Sequence, residues 1–263
     1  MNRDVRVAVF RPDDERLAAA EELLDSLGAQ PVADPMLAVR PTGRTPEAGD
    51  YVILTSKTGA ELAAEAGWEP GDGSASEASG GSEDVSPGTT VCAIGERTAE
   101  ALREAGYAVD LVPKEYSSAG LVEALADEVD GERVEIARSD HGSSVLIEEL
   151  AEAGADVHET VLYRLVRPEG SGESTELAAD GDLDAALFTS SLTVSHFLEA
   201  AAERGVREAA VDGLNDAVVG AIGEPTRETA ESEGIEVDAV PEVADFEQLA
   251  CEVVETAAPT YRE

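Results

Sequence analysis

Lysine and aromatic residues are scarce in this chain of 263 residues. Only Lys57 and Lys114 occur among 18 basic residues, and aromatic residues make up 4% of the sequence. With 57 acidic residues the formal net charge is −39, which argues against binding to nucleic acid or to anionic membranes. We interpret the acidity as adaptation to a salt-rich cytoplasm, because molar salt shortens the screening length to about 3 Å and weakens repulsion between acids.

Long apolar runs and cysteines are also few. No stretch approaches the roughly 18 apolar residues that span a bilayer, and the sequence opens with a strand-like run instead of an apolar signal region, so a soluble cytoplasmic protein is expected. Cys92 and Cys251 have apolar sequence neighbours, and we expect both to be buried, reduced thiols. The three histidines lack metal-ligand spacing, so no metal site is predicted.

Strand-like runs alternate with amphipathic helical patterns, which is typical of a parallel α/β sheet. The predicted strands cover residues 5–10, 51–55, 90–94, 108–112, 133–137, 184–189, 216–222 and 236–240. Helical patterns cover residues 14–28, 97–106, 119–129 and 193–205. Two acidic segments rich in Gly and Ser are predicted to be solvated loops, of which the first is expected to be mobile and dispensable for chemistry: 69–87 and 169–182.

One 21-residue segment of this sequence recurs in similar form. AIGERTAEALREAGYAVDLVP at 93–113 and AIGEPTRETAESEGIEVDAVP at 221–241 are identical at 11 of 21 positions. Average composition would give roughly one or two identities. The chain therefore contains two copies of one α/β unit.

Shorter repeated phrases show that the order of units differs between the two copies. The Thr-Ser pair at 55–56 recurs at 189–190, and FRPD at 10–13 resembles ARSD at 137–140. Because one copy keeps its FRPD phrase at the N-terminus and its other phrases after residue 184, one domain is predicted to be discontinuous. The predicted parts are a discontinuous domain (1–35 and 169–263), an inserted domain (42–160) and two crossings that pair as a two-stranded ladder (36–41 and 161–168).

The repeated phrases follow predicted strands and open predicted helices, so they lie at the edge where open α/β sheets bind ligands. A helix start offers unsatisfied N–H groups and partial positive charge, which bind carboxylates or phosphates without a cationic side chain. Thr98 and Thr226 stand where an N-cap hydroxyl belongs, and both capping and ligand contact stay open for them. No GxGxxG, GxxxxGK[ST] or GxSxG motif occurs, which argues against dinucleotide, nucleotide and esterase sites.

Tyr163 lies in the second predicted crossing. A phenol there could donate a hydrogen bond or a proton to a ligand. Its position alone favours the simpler interpretation, in which the ring packs against the ladder.

Taken together, the motifs resemble those of the uroporphyrinogen-III synthase family. They are VAVFRP, FTSS, two IGxxT motifs each followed by GxxVDxVP, EYSSAGLVEAL, ARSD and VLYRLVRP, and they cover nearly the whole chain outside the acidic insertions. The resemblance implies an α/β fold of two flavodoxin-like domains, each a doubly wound parallel sheet, joined by a two-stranded β-ladder. It also implies a lyase without cofactor that cyclises hydroxymethylbilane to uroporphyrinogen III, with inversion of ring D and loss of water, in tetrapyrrole biosynthesis.

The resemblance also implies residue roles. Tyr163 matches the tyrosine of the family that assists departure of the substrate hydroxyl. The residues that match the family's substrate-binding positions are Arg11, Ser56, Thr98, Ser139, Ser190, Ser191 and Thr226. We add Lys57, one of only two lysines, as a substrate-binding residue at the mouth of the cleft. The partners expected are hydroxymethylbilane and, for its handover, hydroxymethylbilane synthase, with the chain acting as a monomer.

Two alternatives stay open at this stage. One is a synthase-like protein that has lost activity or regulates the pathway. The other is a bilobal module that closes on a small anion. A receiver-type signalling protein is disfavoured, because the required cluster of acids at strand ends followed by a lysine is missing.

Overall fold

The computed structural model describes residues 5–71 and 88–258, and the chain divides into two compact units. Unit 1 is formed by the described residues up to Val39 and from Val166 onward, and unit 2 runs from Arg40 to Leu165. Most of the predicted loop 69–87 falls on residues 72–87, outside the described residues. Within the described ranges, no helix has the length and apolarity that crossing a membrane requires.

Strands are interspersed with helices along the described chain, as the sequence pattern predicts, but three strands follow one another between residues 29 and 54. The strands are β1 (Val5–Phe10), β2 (Ala29–Ala33), β3 (Ala38–Pro41), β4 (Tyr51–Leu54), β5 (Thr90–Ala93), β6 (Arg133–Ser139), β7 (Asp156–Val166), β8 (Ala185–Phe188) and β9 (Val218–Ala221). The helices are α1 (Glu15–Ser26), α2 (Lys57–Glu65), α3 (Glu96–Glu104), α4 (Ser118–Leu125), α5 (Val145–Glu152), α6 (Glu173–Ala179), α7 (Ser191–Glu203), α8 (Arg207–Asn215), α9 (Glu224–Ser232) and α10 (Phe246–Ala257).

Unit 1 contains a parallel four-stranded sheet in the order β2-β1-β8-β9. A single parallel bridge between Gly220 and Ala239 adds a fifth position beside β9. Numbered along unit 1, this is the order 2-1-3-4-5 of flavodoxin-like sheets. Side chains of β1 enter apolar clusters on both faces of the sheet, Ala8 and Phe10 on one face and Val7 on the other, which explains why the strand is apolar at every position except Arg6.

Unit 2 carries the five-stranded sheet β3-β7-β6-β4-β5, in which the pairs β6-β7, β4-β6 and β4-β5 are parallel. A parallel bridge between Cys92 and Leu111 lies beside β5, at the place that the bridge of Gly220 and Ala239 has in unit 1. The four parallel strands of unit 2 and this bridge therefore repeat the strand order of unit 1. Along the chain, the first of these four strands is β4, which has the place of β8 in unit 1 and not the place of β1.

The repeated GxxVDxVP motif has a structural reason in both units. Asp110 accepts a hydrogen bond from the backbone N–H of Val91 at 2.8 Å. Asp238 accepts the same bond from Val219, also at 2.8 Å. The aspartate thus ties the last bridged segment of each unit to the strand beside it.

Several sequence expectations differ from the structure. The predicted strands 108–112 and 236–240 form single bridges only, and β2 was not predicted at all. Strand β7 starts at Asp156 and pairs first with β6, so the second crossing continues a strand of the unit 2 sheet. The predicted loop 169–182 contains α6, whose Ser174 and Thr175 are fully buried.

A buried carboxylate without a partner lies in the middle of the unit 2 sheet. Glu135 of β6 stands between Val52 and His158 on the neighbouring strands. Its residue is 0% exposed, and neither carboxylate oxygen has a hydrogen-bond partner among the described residues. At the corresponding place in β1 stands Ala8, which is also fully buried.

We predict that Glu135→Met stabilises the protein by about 1–3 kcal/mol, the range for a buried polar group that lacks a hydrogen bond. The free energy of unfolding from urea titration checks this. The reciprocal variant Ala8→Glu is the control and is expected to lower that free energy by a similar or larger amount. A Glu135→Met protein less stable than the parent would show that the carboxylate is stabilised in place.

Candidate functional site

A cavity of about 210 Å³ opens at the carboxyl ends of β4 and β6 in unit 2. These are adjacent strands whose chain connections leave in opposite directions, the position at which flavodoxin-like sheets bind ligands. Apolar contacts come from Ile94 and Leu146. Besides Arg138 and Gly142, the other lining residues all carry a side-chain hydroxyl: Thr55, Ser56, Ser118, Ser139, Ser143 and Tyr163. The sequence therefore places six hydroxyl groups around one small space.

An irregularity in β7 brings Tyr163 to this cavity. Arg138 of β6 pairs with Val161, but the next residue, Ser139, pairs with Tyr163, so Leu162 is an extra residue in β7. Leu162 and Tyr163 pack in the same apolar cluster, although consecutive residues of a regular strand face opposite sides. Tyr163 is 7% exposed and its ring is fixed by packing. The bulge thus aims the phenol at the carboxyl edge of the sheet.

Ser56 joins the Tyr163 hydroxyl to the start of α2. Its Oγ lies 3.0 Å from the Tyr163 hydroxyl oxygen, and either group can donate in this pair. The same Oγ accepts the backbone N–H of Gly59 at 3.0 Å and caps the helix. A Cβ at Gly59 would lie 3.0 Å from Ser56 Oγ, so glycine keeps this contact open. Lys57 begins α2 at the same edge, is half exposed, does not line the cavity, and pairs with Glu61 at 3.4 Å.

Arg138 supplies the positive charge of the cavity. Arg138 is 9% exposed, and its Nε donates to a carboxylate oxygen of Glu159 at 2.7 Å. Its Nη1 donates to the carbonyl oxygen of Ser143. A Cβ at Gly142 would lie 2.6 Å from Arg138 Cδ, so a larger residue there would displace the arginine side chain from this position. Nη2 has no hydrogen-bond partner within the described part of the chain.

The predicted site residues of unit 1 lie at the carboxyl edge of its own sheet. Arg11 stacks on the ring of Phe246 at 4.4 Å, and burial together with the nearby Arg16 charge lowers the pKa of the Arg11 guanidinium. Ser190 caps α7 by accepting the N–H of Thr193 at 3.2 Å. Ser191 donates to the carbonyl of Pro225 at 2.9 Å. In this structure these side chains serve local contacts.

The two repeated threonines do not cap their helices, contrary to the interpretation of their N-cap position. Gly95 and Gly223 are the N-caps of α3 and α9, and neither helix start has a side-chain cap. Thr98 and Thr226 are the third residues of these helices and are each 4% exposed. Their hydroxyls make no hydrogen bond with any described residue. Both helix starts therefore keep free N–H groups beside a threonine without a partner.

Neither Cys92 nor Cys251 lines the cavity. Cys92 is buried, and burial raises the pKa of its thiol to about 12, so it is not a nucleophile. The expectation for Cys251 was wrong, because this residue is exposed on the outer side of α10. Within the described ranges, no group of three or more acidic, His or Cys side chains is placed to hold a metal ion.

The structure brings together three of the predicted residues, Ser56, Ser139 and Tyr163. It leaves Lys57 and Thr98 outside the cavity lining. Arg138, Ser118 and Ser143 also line it and were not among the site residues predicted from the sequence. A signal for Arg138 was present, because ARSD was aligned with the FRPD phrase from which Arg11 was chosen.

Known proteins resemble both the sequence and the fold. A family model described as uroporphyrinogen-III synthase HemD matches residues 18–251. A protein of Methanothermobacter thermautotrophicus, provisionally named a uroporphyrinogen-III synthase, is 32% identical over 241 residues, covering 87% of this chain and 90% of the relative. A uroporphyrinogen-III synthase of Chlorobaculum parvum is 31% identical over 174 residues, covering 64% and 66%.

Solved structures share the α/β fold with its parallel sheets. A mutant uroporphyrinogen III synthase of Thermus thermophilus aligns with a TM-score of 0.62 at 22% identity, covering 96% of this chain and 98% of that one. A uroporphyrinogen-III synthetase of Helicobacter pylori aligns with a TM-score of 0.56 at 15% identity, covering 97% and 99%. At these identities the structures support the fold alone. Because the family model spans most of the sequence, the chain belongs to the uroporphyrinogen-III synthase family.

Proposed function

We propose that the protein is a uroporphyrinogen-III synthase, a lyase that closes hydroxymethylbilane into uroporphyrinogen III with loss of water. The observation that carries this proposal is the Tyr163 phenol, fixed by a bulge in the wall of the unit 2 cavity and hydrogen-bonded to Ser56. Membership of the family supplies the reaction, and the cavity supplies a group suited to one of its steps.

The proposed step for Tyr163 is departure of the substrate hydroxyl. A pyrrole nitrogen lone pair expels this group, the C–O bond breaks, and the leaving oxygen takes a proton to become water. A phenol that donates a hydrogen bond to that oxygen stabilises the charge that develops on it. The azafulvene that results is attacked by the substituted carbon of ring D, and a spiro intermediate gives the inverted ring. Folding the substrate so that this carbon attacks is mainly a positioning task.

Substrate carboxylates require binding groups at the sheet edges. We propose that the uncapped starts of α3 and α9 bind carboxylates through their backbone N–H groups, with Thr98 and Thr226 adding a hydroxyl each. Arg11, Lys57, Ser139, Ser190 and Ser191 are the other proposed substrate-binding residues. The proposed assignment needs neither a metal nor a cofactor.

We also propose the domain limits that the repeats predict. Residues 1–35 and 169–263 form one domain, residues 42–160 form the inserted domain, and residues 36–41 and 161–168 connect them. The compact units, which change at Val39/Arg40 and Leu165/Val166, support this division.

The acid excess supports a salt-rich cytoplasm as the place of action. We propose that the protein works there as a monomer that receives hydroxymethylbilane from hydroxymethylbilane synthase. Light scattering in molar salt tests the monomer, and a dimer there would reject it. Activity that rises between low and molar salt is expected.

The direct test supplies freshly generated hydroxymethylbilane in high salt and separates the uroporphyrinogen isomers by chromatography. Product enriched in type III is expected. Type I forms without an enzyme, so type I alone would reject the synthase and leave an inactive or anion-binding relative. Omitting the protein from a parallel reaction gives the spontaneous background.

A further inference from the structure

The unit 2 cavity contains hydrogen-bonding groups that the fold does not use. Among the described residues, the hydroxyls of Ser118 and Ser139 make no hydrogen bond, and Nη2 of Arg138 makes none either. Arg138 is nine-tenths buried, and its bonds to Glu159 and to the carbonyl oxygen of Ser143 hold its guanidinium in place at the cavity. Two hydroxyls and the Nη2 group of one guanidinium at the same small cavity are therefore free to donate to an acceptor that enters it.

In unit 1 an aromatic side chain occupies the position that corresponds to Ser118 of the unit 2 cavity. Ser118 is the first residue of α4, and 128 positions later Phe246 is the first residue of α10, each directly after a side-chain N-cap. Arg11, the counterpart of Arg138, stacks on that Phe246 ring at 4.4 Å. Arg11 of unit 1 therefore contacts an aromatic ring. Its counterpart in unit 2, Arg138, has a small serine and open space at the corresponding position.

The size and charge of the cavity limit what it can hold. Sites that enclose a whole drug-sized ligand have roughly 300–1,000 Å³, and a water takes roughly 30 Å³. The cavity of about 210 Å³ therefore suits one substituent of a larger molecule. Glu159 offsets the charge of Arg138. The cavity therefore selects its ligand by the direction of its hydrogen-bond donors and not by net positive charge.

We infer that this cavity is a subsite for one carboxylate side chain of the substrate, held by Arg138, Ser118 and Ser139. The inference rests on the proposed function and adds to it a specific group, a specific cavity and an asymmetry between the units. Because Tyr163 lines the same cavity, the carboxylate held there places its pyrrole ring beside the phenol. Ser118 and Arg138 are thereby assigned roles in binding, and Phe246 excludes an equivalent subsite from unit 1.

The test transfers the unit 1 residue into unit 2. Ser118→Phe is expected to raise both the KM for hydroxymethylbilane and the Kd for uroporphyrinogen III, kept reduced and measured by calorimetry, by about 10-fold or more. Ser118→Ala, which removes the hydroxyl and keeps the space, is expected to raise both by about 3-fold. The control is Ser117→Ala, which removes the cap of the same helix outside the cavity lining and is expected to leave the Kd unchanged.

Several outcomes would overturn the subsite. One is an unchanged KM and Kd in Ser118→Phe while the wild type still forms type III. Another is inorganic phosphate that binds the wild type and not Ser118→Phe while the KM for hydroxymethylbilane is the same in both, because the cavity would then hold a small anion and not the substrate. If Ser118→Phe melts early, the double variant Ser118→Ala with Ser139→Ala replaces it and is expected to raise the Kd about 10-fold. An unchanged Kd in that variant rejects the subsite, whereas a wild type that forms type I only rejects the proposed function.

Discussion

Replacing Tyr163 by phenylalanine is expected to lower the kcat for uroporphyrinogen III about 100-fold, at the low end of the range for loss of a general acid. The ring stays in its apolar cluster, and only the hydroxyl and its 3.0 Å contact with Ser56 are lost. Type I product continues to appear, because it forms without an enzyme. The rate of type III formation and the ratio of the two isomers measure the effect.

Tyr107→Phe is the matched control for this variant. Tyr107 packs in the same apolar cluster of unit 2, and its hydroxyl donates to the carbonyl of Trp68 at 2.6 Å without lining the cavity. We expect an unchanged kcat and a loss of about 1 kcal/mol in stability, from one hydrogen bond. If Tyr163→Phe retains the parental type III rate, Tyr163 has no part in the mechanism.

Replacing Asp34 by alanine is expected to destabilise the protein by about 3 kcal/mol or more. Asp34 follows β2, is 4% exposed, and accepts three hydrogen bonds at the start of α6. They come from the N–H groups of Gly172 and Ser174 at 2.7 and 2.9 Å and from the Ser174 hydroxyl at 2.5 Å. Alanine would leave these buried donors without an acceptor, and bonds to a charged group contribute roughly 1.5–3 kcal/mol each.

The free energy of unfolding in urea measures this loss, with Asp14→Ala as the control. Asp14 also caps a helix, α1, but it is exposed, so its loss is expected to destabilise by about 1 kcal/mol. Asp34→Asn keeps one oxygen acceptor and is expected to fall between the two. Equal losses for Asp34→Ala and Asp14→Ala would mean that water replaces the carboxylate at α6.

Buried parallel strands could be predicted from the sequence because their signal is local. VRVAVF and YVIL are apolar on both faces, and the structure has β1 and β4 there. β2 was missed because AQPVA contains proline and glutamine and pairs with β1 only at the edge of the sheet. Helix α6 was missed because its acidic, Ser-rich segment is fixed by Asp34, 138 residues away.

The candidate site was predictable to the extent that it follows the repeat. Ser56, Ser139 and Tyr163 stand in repeated or crossing phrases, and they meet at one cavity. The bulge that aims Tyr163 depends on the pairing of β6 with β7, which a linear pattern does not contain. The sequence pattern predicted correctly that Thr98 belongs to a helix start, but it placed Thr98 at the N-cap. In the structure Gly95 is the N-cap, and glycine has no side chain that could mark this position.

The discontinuity of unit 1 sets an order of events during synthesis. Strand β1 lies between β2 and β8, and the bond from Arg6 to Asp184 spans 178 residues. At roughly 5–20 residues per second, the ribosome delivers β8 about 10–35 s after β1. All of unit 2 emerges in that interval and can fold first. The apolar VRVAVF segment meanwhile lacks one of its two neighbours, so the nascent chain exposes an aggregation-prone strand until its C-terminal half arrives.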